Sequence, residues 1–182
     1  TTPEHAQDVR AVIAWLRDPG TTSQSTLEAM LQRRVGSLSA EARDVLFTTL
    51  ILGEHASVSL LMGCATLPAV EVEQALVELE QEQIVRCWAD GTVSTHSLWR
   101  SSVETLVPTA LAVARRHRVA QLLEEASRHT ADSAELLLAS AALYQRSGDV
   151  ARAADILAQS GAALQERALA PAAYAAYSRA AE

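Results

Sequence analysis

The chain has 182 residues, of which 49% are hydrophobic but only 4% aromatic, and a formal net charge of −7. That length holds one compact domain or two small ones with a real core. The negative charge opposes non-specific binding to nucleic acid or to an anionic membrane. All 15 basic residues are arginine, which we read as the codon bias of a GC-rich genome, since no structural role would exclude lysine everywhere. The apolar content is mostly Ala, Leu and Val, a mix that favours closely packed helices over a β-sandwich. Cys64 and Cys87 form neither a disulfide framework nor a metal-ligand spacing. There is no signal-peptide layout and no apolar run long enough to span a membrane, so the chain reads as cytosolic. Thr1 is no initiator and Glu182 falls inside a helical pattern, so an excised piece of a longer protein is expected.

Taken in order, Val9, Val12, Ile13 and Leu16 make a helical stripe after Pro3. Asp18-Pro19-Gly20 and the polar run Thr21 to Ser25 read as a turn and loop. A helix follows from about Thr26, with Leu27, Met30, Leu31 and Val35 on one side. Ser39 is placed to cap the next helix, Ala40 to Leu52, whose Ala42, Val45, Leu46 and Thr49 face inward.

After Gly53 the spacing predicts a short helix over about Ser57 to Ala65. A longer one follows Thr66-Leu67-Pro68, with Val72, Ala75, Leu76 and Leu79 at i, i+3, i+4 and i+7. Helix, short turn, helix is the helix-turn-helix outline. Two β-rich runs, Ile84 to Trp88 and Thr92 to His96, joined at Asp90-Gly91, then make a hairpin. Together these parts have the layout of a winged helix. Its recognition helix is acidic: Glu71, Glu73, Glu78, Glu80 and Glu82 occur there with no arginine. Docking on duplex DNA needs positive charge to replace phosphate counterions. Direct nucleic-acid binding is therefore disfavoured, and these five glutamates are the candidate interaction residues. The bland alternative is a solvated face that keeps the domain soluble.

Beyond the hairpin the chain reads as helical throughout. Segments are expected over Ser101 to Val107, from Pro108 to about Ala126, from an Asp132 capping box to Ser147, and from Asp149 to a break at Ser160-Gly161. Ala162 to Leu169 and a final helix from Pro171 complete the series. Ala141, Tyr144, Gly148-Asp149, Ala153 and Leu157 read as a tetratricopeptide-like hairpin followed by a degenerate second one.

Leu38-Ser39-Ala40-Glu41-Ala42-Arg43, the helix-turn-helix, Thr95-His96-Ser97-Leu98 and Arg116-His117-Arg118-Val119-Ala120 carry a family likeness. The chain resembles, over about residues 25–182, the region after the ATPase core in signal-transduction ATPases with numerous domains. Large LuxR-type transcriptional regulators and related multidomain kinases and cyclases belong to that group. The resemblance implies a mainly α fold: a winged helix with a two-stranded wing, then tetratricopeptide-like α-hairpins. Residues 1–25 would be a linker or residual ATPase-lid helix, 26–107 the winged-helix domain, and 108–182 the repeat segment. It further implies a non-catalytic regulatory fragment that couples a sensory repeat array to a nucleotide switch. ATP or ADP would be bound by an ATPase domain outside this chain, with that domain, further repeats and a protein partner as its contacts. In the family a histidine just after the wing touches the nucleotide's phosphates, and His96 stands at that position, with Ser94-Thr95 before it in place of an aromatic or basic pair.

No GxxxxGK[ST] motif occurs, and without lysine none can. The rival function is a transcription factor that binds DNA directly through a positive face around Arg86 and Arg100. An enzyme would have to use Ser97, Ser101 or Ser102 with His96, and no aspartate stands near them in sequence to orient the imidazole. His5, His55, His117 and His129 share no ligand spacing, so no metal site is expected. Arg115, Arg116 and Arg118 read as a solvent-facing stripe pairing with Glu124 and Glu125, with a phosphate grip as the alternative. Trp15, Trp88 and Trp99 read as core or interdomain packing residues, and Tyr144, Tyr174 and Tyr177 as inter-helix packing residues, with a ligand groove completed by further repeats as the alternative for the tyrosines.

Overall fold

The computed structural model describes residues 21–96, 98–104, 106–130 and 133–181. Among these the chain is mainly helical, with one small antiparallel hairpin. The order is α1 (Thr21–Ser37), α2 (Ala40–Leu52), a 3₁₀ turn (Gly53–His55), α3 (Val58–Cys64) and α4 (Ala69–Gln81). The strands β1 (Val85–Cys87) and β2 (Val93–Thr95) follow. Then come α5 (Leu98–Glu104), α6 (Thr109–Ser127), α7 (Ser133–Ser147), α8 (Val150–Glu166) and α9 (Ala170–Ala181). The stripe from Val9 to Leu16, Trp15, His5 and the Asp132 cap lie outside the described residues.

The caps account for much of the punctuation. Ser39 accepts the Ala42 N–H at the start of α2, Ser57 accepts the Leu60 N–H for α3, and Asp149 accepts the Arg152 N–H for α8. Each satisfies a donor that the first turn of a helix leaves without an intrahelical partner. Gly91 in the hairpin turn and Gly148 between α7 and α8 have φ of +83° and +88°, a region that favours glycine. The hairpin pairs Val85 with Thr95, Arg86 with Ser94 and Cys87 with Val93. It is also stitched to the chain before α3: Val58 N–H donates to the Gly91 carbonyl and Val93 N–H to the Ala56 carbonyl, each at 2.9 Å.

Two expectations need correction. Thr21 to Ser25, read as loop, belong to α1. No Gly or Pro follows Gly20 there, and the modest helix cost of Ser and Thr does not stop propagation. The second concerns Ser160-Gly161, read as a break; α8 runs through it as one helix to Glu166. Gly161 is instead a contact point. A Cβ there would sit 2.8 Å from Cε1 of Tyr177 on α9, so the missing side chain lets α9 lie close.

Among the described residues the larger of two apolar clusters runs from Val35, Leu46 and Trp99 through Leu61, Val72 and Leu79 to Val119, Leu123, Tyr144, Ile156 and Leu157; the smaller gathers Ala134, Leu164, Ala173 and Ala176. The four positions expected on the inner face of α4 (Val72, Ala75, Leu76 and Leu79) are all buried. Helices α6 to α9 pack successively, each on the next. The first of them also leans on α2 and α3, so the α-helical array and the hairpin-bearing part share one core.

Candidate functional site

Three features place polar chemistry on this scaffold: a joint under α6, an acidic outer face on α4, and a carboxylate hub inside the helical array.

The joint is an ion pair between Arg115 of α6 and Asp44 of α2. Arg115 also donates to the Cys64 carbonyl at 3.3 Å, at the end of α3. Its side chain is 8% exposed, so the guanidinium is held inside the fold. The second Asp44 oxygen is buried without a hydrogen-bond partner among the described residues, beside a groove lined by Val35, Phe47, Val103, Val107 and Leu111. This corrects the expectation of a solvent-facing stripe for Arg115. Its neighbours on the inner face of α6 are Ala112, Val119 and Leu123, so Arg115 lies within the apolar stripe and needs an internal partner. Burial also raises the Cys64 thiol to about 11, against the pull of Arg115 and Arg118, leaving it inert as a nucleophile at neutral pH.

The glutamates of α4 divide into two kinds. Glu78 takes the Ser39 N–H at 2.8 Å and the Ser39 hydroxyl at 2.6 Å, clamping the start of α2. Glu80 takes the Cys87 N–H at 2.8 Å and so ties α4 to β1. Glu82 pairs with Arg34 at 3.4 Å, while the same guanidinium donates to its carbonyl at 2.6 Å. The side chains of Glu71 and Glu73 have no ion pair or hydrogen bond among the described residues. Glu71, Glu41 and Glu78 line one cleft with Ser39 and Gln74. Val70 and Val77 stand out from the same helix, 62% and 53% exposed.

Trp88, expected in the core or at an interdomain contact, is 47% exposed and so lies outside the core. Its ring lies under Arg86, with the guanidinium carbon 4.0 Å from the centroid, and its Nε1–H donates to Ser94 Oγ at 3.1 Å. Strand alternation explains the correction: Val85 points in and Arg86 out, and the neighbouring outward Trp88 covers itself with a cation instead of with core. Trp99 is buried as expected, with Arg34 over its ring at 5.6 Å. Burial and then the Glu80 carboxylate push the Cys87 thiol above its ordinary value.

In the helical array, Glu124 is 7% exposed and accepts from Arg152 at 2.5 Å, Arg128 at 3.2 Å and the Tyr144 hydroxyl at 3.2 Å. Burial and this carboxylate raise the Tyr144 phenol above its usual range. His117 meets the Tyr144 ring edge-on, 5.2 Å between centroids, and its Nδ1 is 4.0 Å from Asp149. Glu124 was expected to pair with an arginine, but with those on its own helix near residue 116. It instead gathers α6, α7 and α8. Tyr177 covers Gly161 as a packing residue, whereas Tyr174 is 75% exposed, against expectation.

His96 is exposed, and its Nδ1 accepts the Leu98 N–H at 3.2 Å. With Nδ1 accepting, Nε2 is the ring nitrogen that carries a proton. Ser97 and the side chains of Ser101 and Ser102 lie outside the described residues. No group of three or more His, Cys, Asp or Glu suited to a metal occurs among the described residues, and no described helix is long and apolar enough to cross a membrane. Arg86 and Arg100, the arginines of the DNA-binding alternative, each make a contact within the fold. The first covers Trp88, and the second donates to the Leu50 carbonyl at 3.0 Å. Arg115, Asp44 and the hub partners of Glu124 are the polar residues sequence reasoning missed. Compared with protein families, curated proteins and solved structures, the chain matches none.

Proposed function

We propose that this chain is a non-catalytic regulatory module in which a winged helix, α1 to α5 with the hairpin as its wing, is joined to tetratricopeptide-like hairpins formed by α6 to α9. In this reading it belongs to a bacterial signalling ATPase, of the kind found in large LuxR-type regulators. ADP or ATP is held by an ATPase domain outside these residues, and His96 offers its Nε2–H to the nucleotide's phosphates. The observation that carries the reading is the joint. Arg115 holds α2 and the end of α3 at once, and a displacement of the helical array is therefore delivered to the winged helix instead of being absorbed by a linker. An event on the array then reaches the surfaces of α4 and the wing through α2, which packs on α4. The charge of α4 supports a protein contact there over a DNA contact.

The test is titration of the isolated chain with ADP, ATP and duplex DNA by calorimetry and anisotropy at several salt concentrations. The expected result is no tight nucleotide binding and no salt-dependent duplex binding. Tight nucleotide binding by the chain alone would refute the division of labour with an ATPase domain. Duplex binding that falls steeply with salt would refute the protein-facing reading and establish the DNA-binding alternative.

A further inference from the structure

The outer face of α4 has an order that the glutamate count alone does not convey. An α-helix advances about 100° per residue, which puts Val70, Gln74, Val77 and Gln81 within an arc of about 60° opposite the buried Val72, Ala75, Leu76 and Leu79. All four of these outer residues are exposed. They form a neutral crest about 16 Å long at 1.5 Å per residue, carrying two large aliphatic side chains one heptad apart. Glutamates flank it on both sides. Glu73 and Glu80 lie toward the hairpin, and Glu71, Glu78 and Glu82 toward the starts of α1's neighbour α2 and the Arg34 contact. At the far end of the first row stands Trp88, one residue after the Cys87 N–H that Glu80 holds.

We infer that this crest is the seat of a basic amphipathic helix from a protein partner, its apolar residues laid between Val70 and Val77 and its arginines or lysines over the two glutamate rows. The inference rests on the protein-facing reading above and adds the partner's chemistry to it. Charge complementarity selects the partner. Two acidic rows with no cation on the helix repel nucleic acid and a second copy of the same face, while the exposed valines reward a ligand that brings apolar surface as well as charge. Glu71 and Glu73 are available for new ion pairs, and Glu78, Glu80 and Glu82 add field while holding the helix in place. The contact is helix on helix, so partner residues spaced i, i+3, i+4 and i+7 fill the crest.

The experiment uses the full chain and a labelled synthetic peptide of about 16 residues, with leucines at that spacing and arginines on both flanks. Anisotropy and tryptophan emission follow binding. A peptide of equal charge with the leucines replaced by serine, a scrambled peptide and a DNA duplex serve as comparisons. The expected result is binding of the leucine peptide, weakened about tenfold or more by the pair Val70→Ser and Val77→Ser and by the pair Glu71→Gln and Glu73→Gln. Val70, Val77 and Glu73 are exposed and Glu71 is half-buried, and circular dichroism checks that each variant keeps its fold. Equal binding of the serine or scrambled peptide, indifference to the valine changes, or no binding at all would overturn the inference. So would self-association through Val77 seen by sedimentation. Those results leave the protein-facing reading standing, whereas duplex binding with a steep salt dependence removes both.

Discussion

Replacing Arg115 by methionine isolates the joint. Methionine fills the aliphatic volume of the arginine stem but brings no charge, so Asp44 is left with both oxygens unpaired and the Cys64 carbonyl loses its donor. Removing one partner of a buried ion pair typically costs about 3–5 kcal/mol. Asp44 is 24% exposed and water can reach it in part, which places the loss near the lower end, about 3 kcal/mol. For a chain of this size that is a fall in Tm of about 6–12 °C. The double variant Arg115→Met with Asp44→Leu puts two apolar side chains beside Val35, Phe47, Val103 and Val107, and it should recover most of the loss. Urea unfolding followed by far-ultraviolet circular dichroism and by tryptophan emission gives the full cycle. A single-variant cost below about 1 kcal/mol, the range of exposed pairs, or a double variant as unstable as Arg115→Met, would refute the buried pair as the fastening between α2 and α6.

Three further outcomes follow from the packing and the caps. Gly161→Ala should cost a net of about 1 kcal/mol, since the clash with Tyr177 outweighs the gain in helix propensity; in a Tyr177→Ala background the same change should stabilise, as measured by thermal melts. Glu78→Gln should destabilise by about 1 kcal/mol through its two bonds to Ser39, whereas Glu73→Gln should stay within about 0.5 kcal/mol of the parent, and denaturant midpoints separate the two. Above pH 9 the chain should lose stability. The Cys64 thiol goes from 9.0 to about 11 on folding, so the folded state holds the extra proton and stability falls as pH rises through that window. Tyr144 acts in the same direction. A Cys64→Ala variant with an unchanged alkaline slope would show that another group carries the effect.

How much of this was legible beforehand depends on the range of the interaction. Periodicity located α2 and α4 because their inner faces repeat apolar residues within one helix, and Asp90-Gly91 announced its turn through a local φ requirement. The arginine at 115 was hidden by its company. It sits in a basic run with Arg116 and Arg118, and its partner Asp44 lies 71 residues away. A clue was nevertheless present, since Ala112, Arg115 and Val119 share a face with Leu123, and an arginine in an apolar stripe must be paired. Gly161 misled for the opposite reason: a glycine after serine reads as a break when its use is to admit a ring from another helix. Trp88 shows that residue type alone does not decide burial at a hairpin, where alternation does. The sorting of the five glutamates depended on where Ser39, Cys87 and Arg34 lie in space, which no local pattern contains.

The stitching of the hairpin to the chain before α3 uses only amide and carbonyl groups, through Val58, Gly91, Val93 and Ala56. Every residue except proline supplies both groups, so the bonds themselves ask for no particular side chain; burial holds Ala56 and Val93 and the positive φ holds Gly91, while outward positions such as Arg86 and Ser94 are free to diverge. The fastening at Arg115 depends on two matched side chains, Arg115 and Asp44, and changes only if both change together. Evolution can therefore rewrite what the hairpin displays far more readily than it can rewrite how the two halves of the molecule are held together.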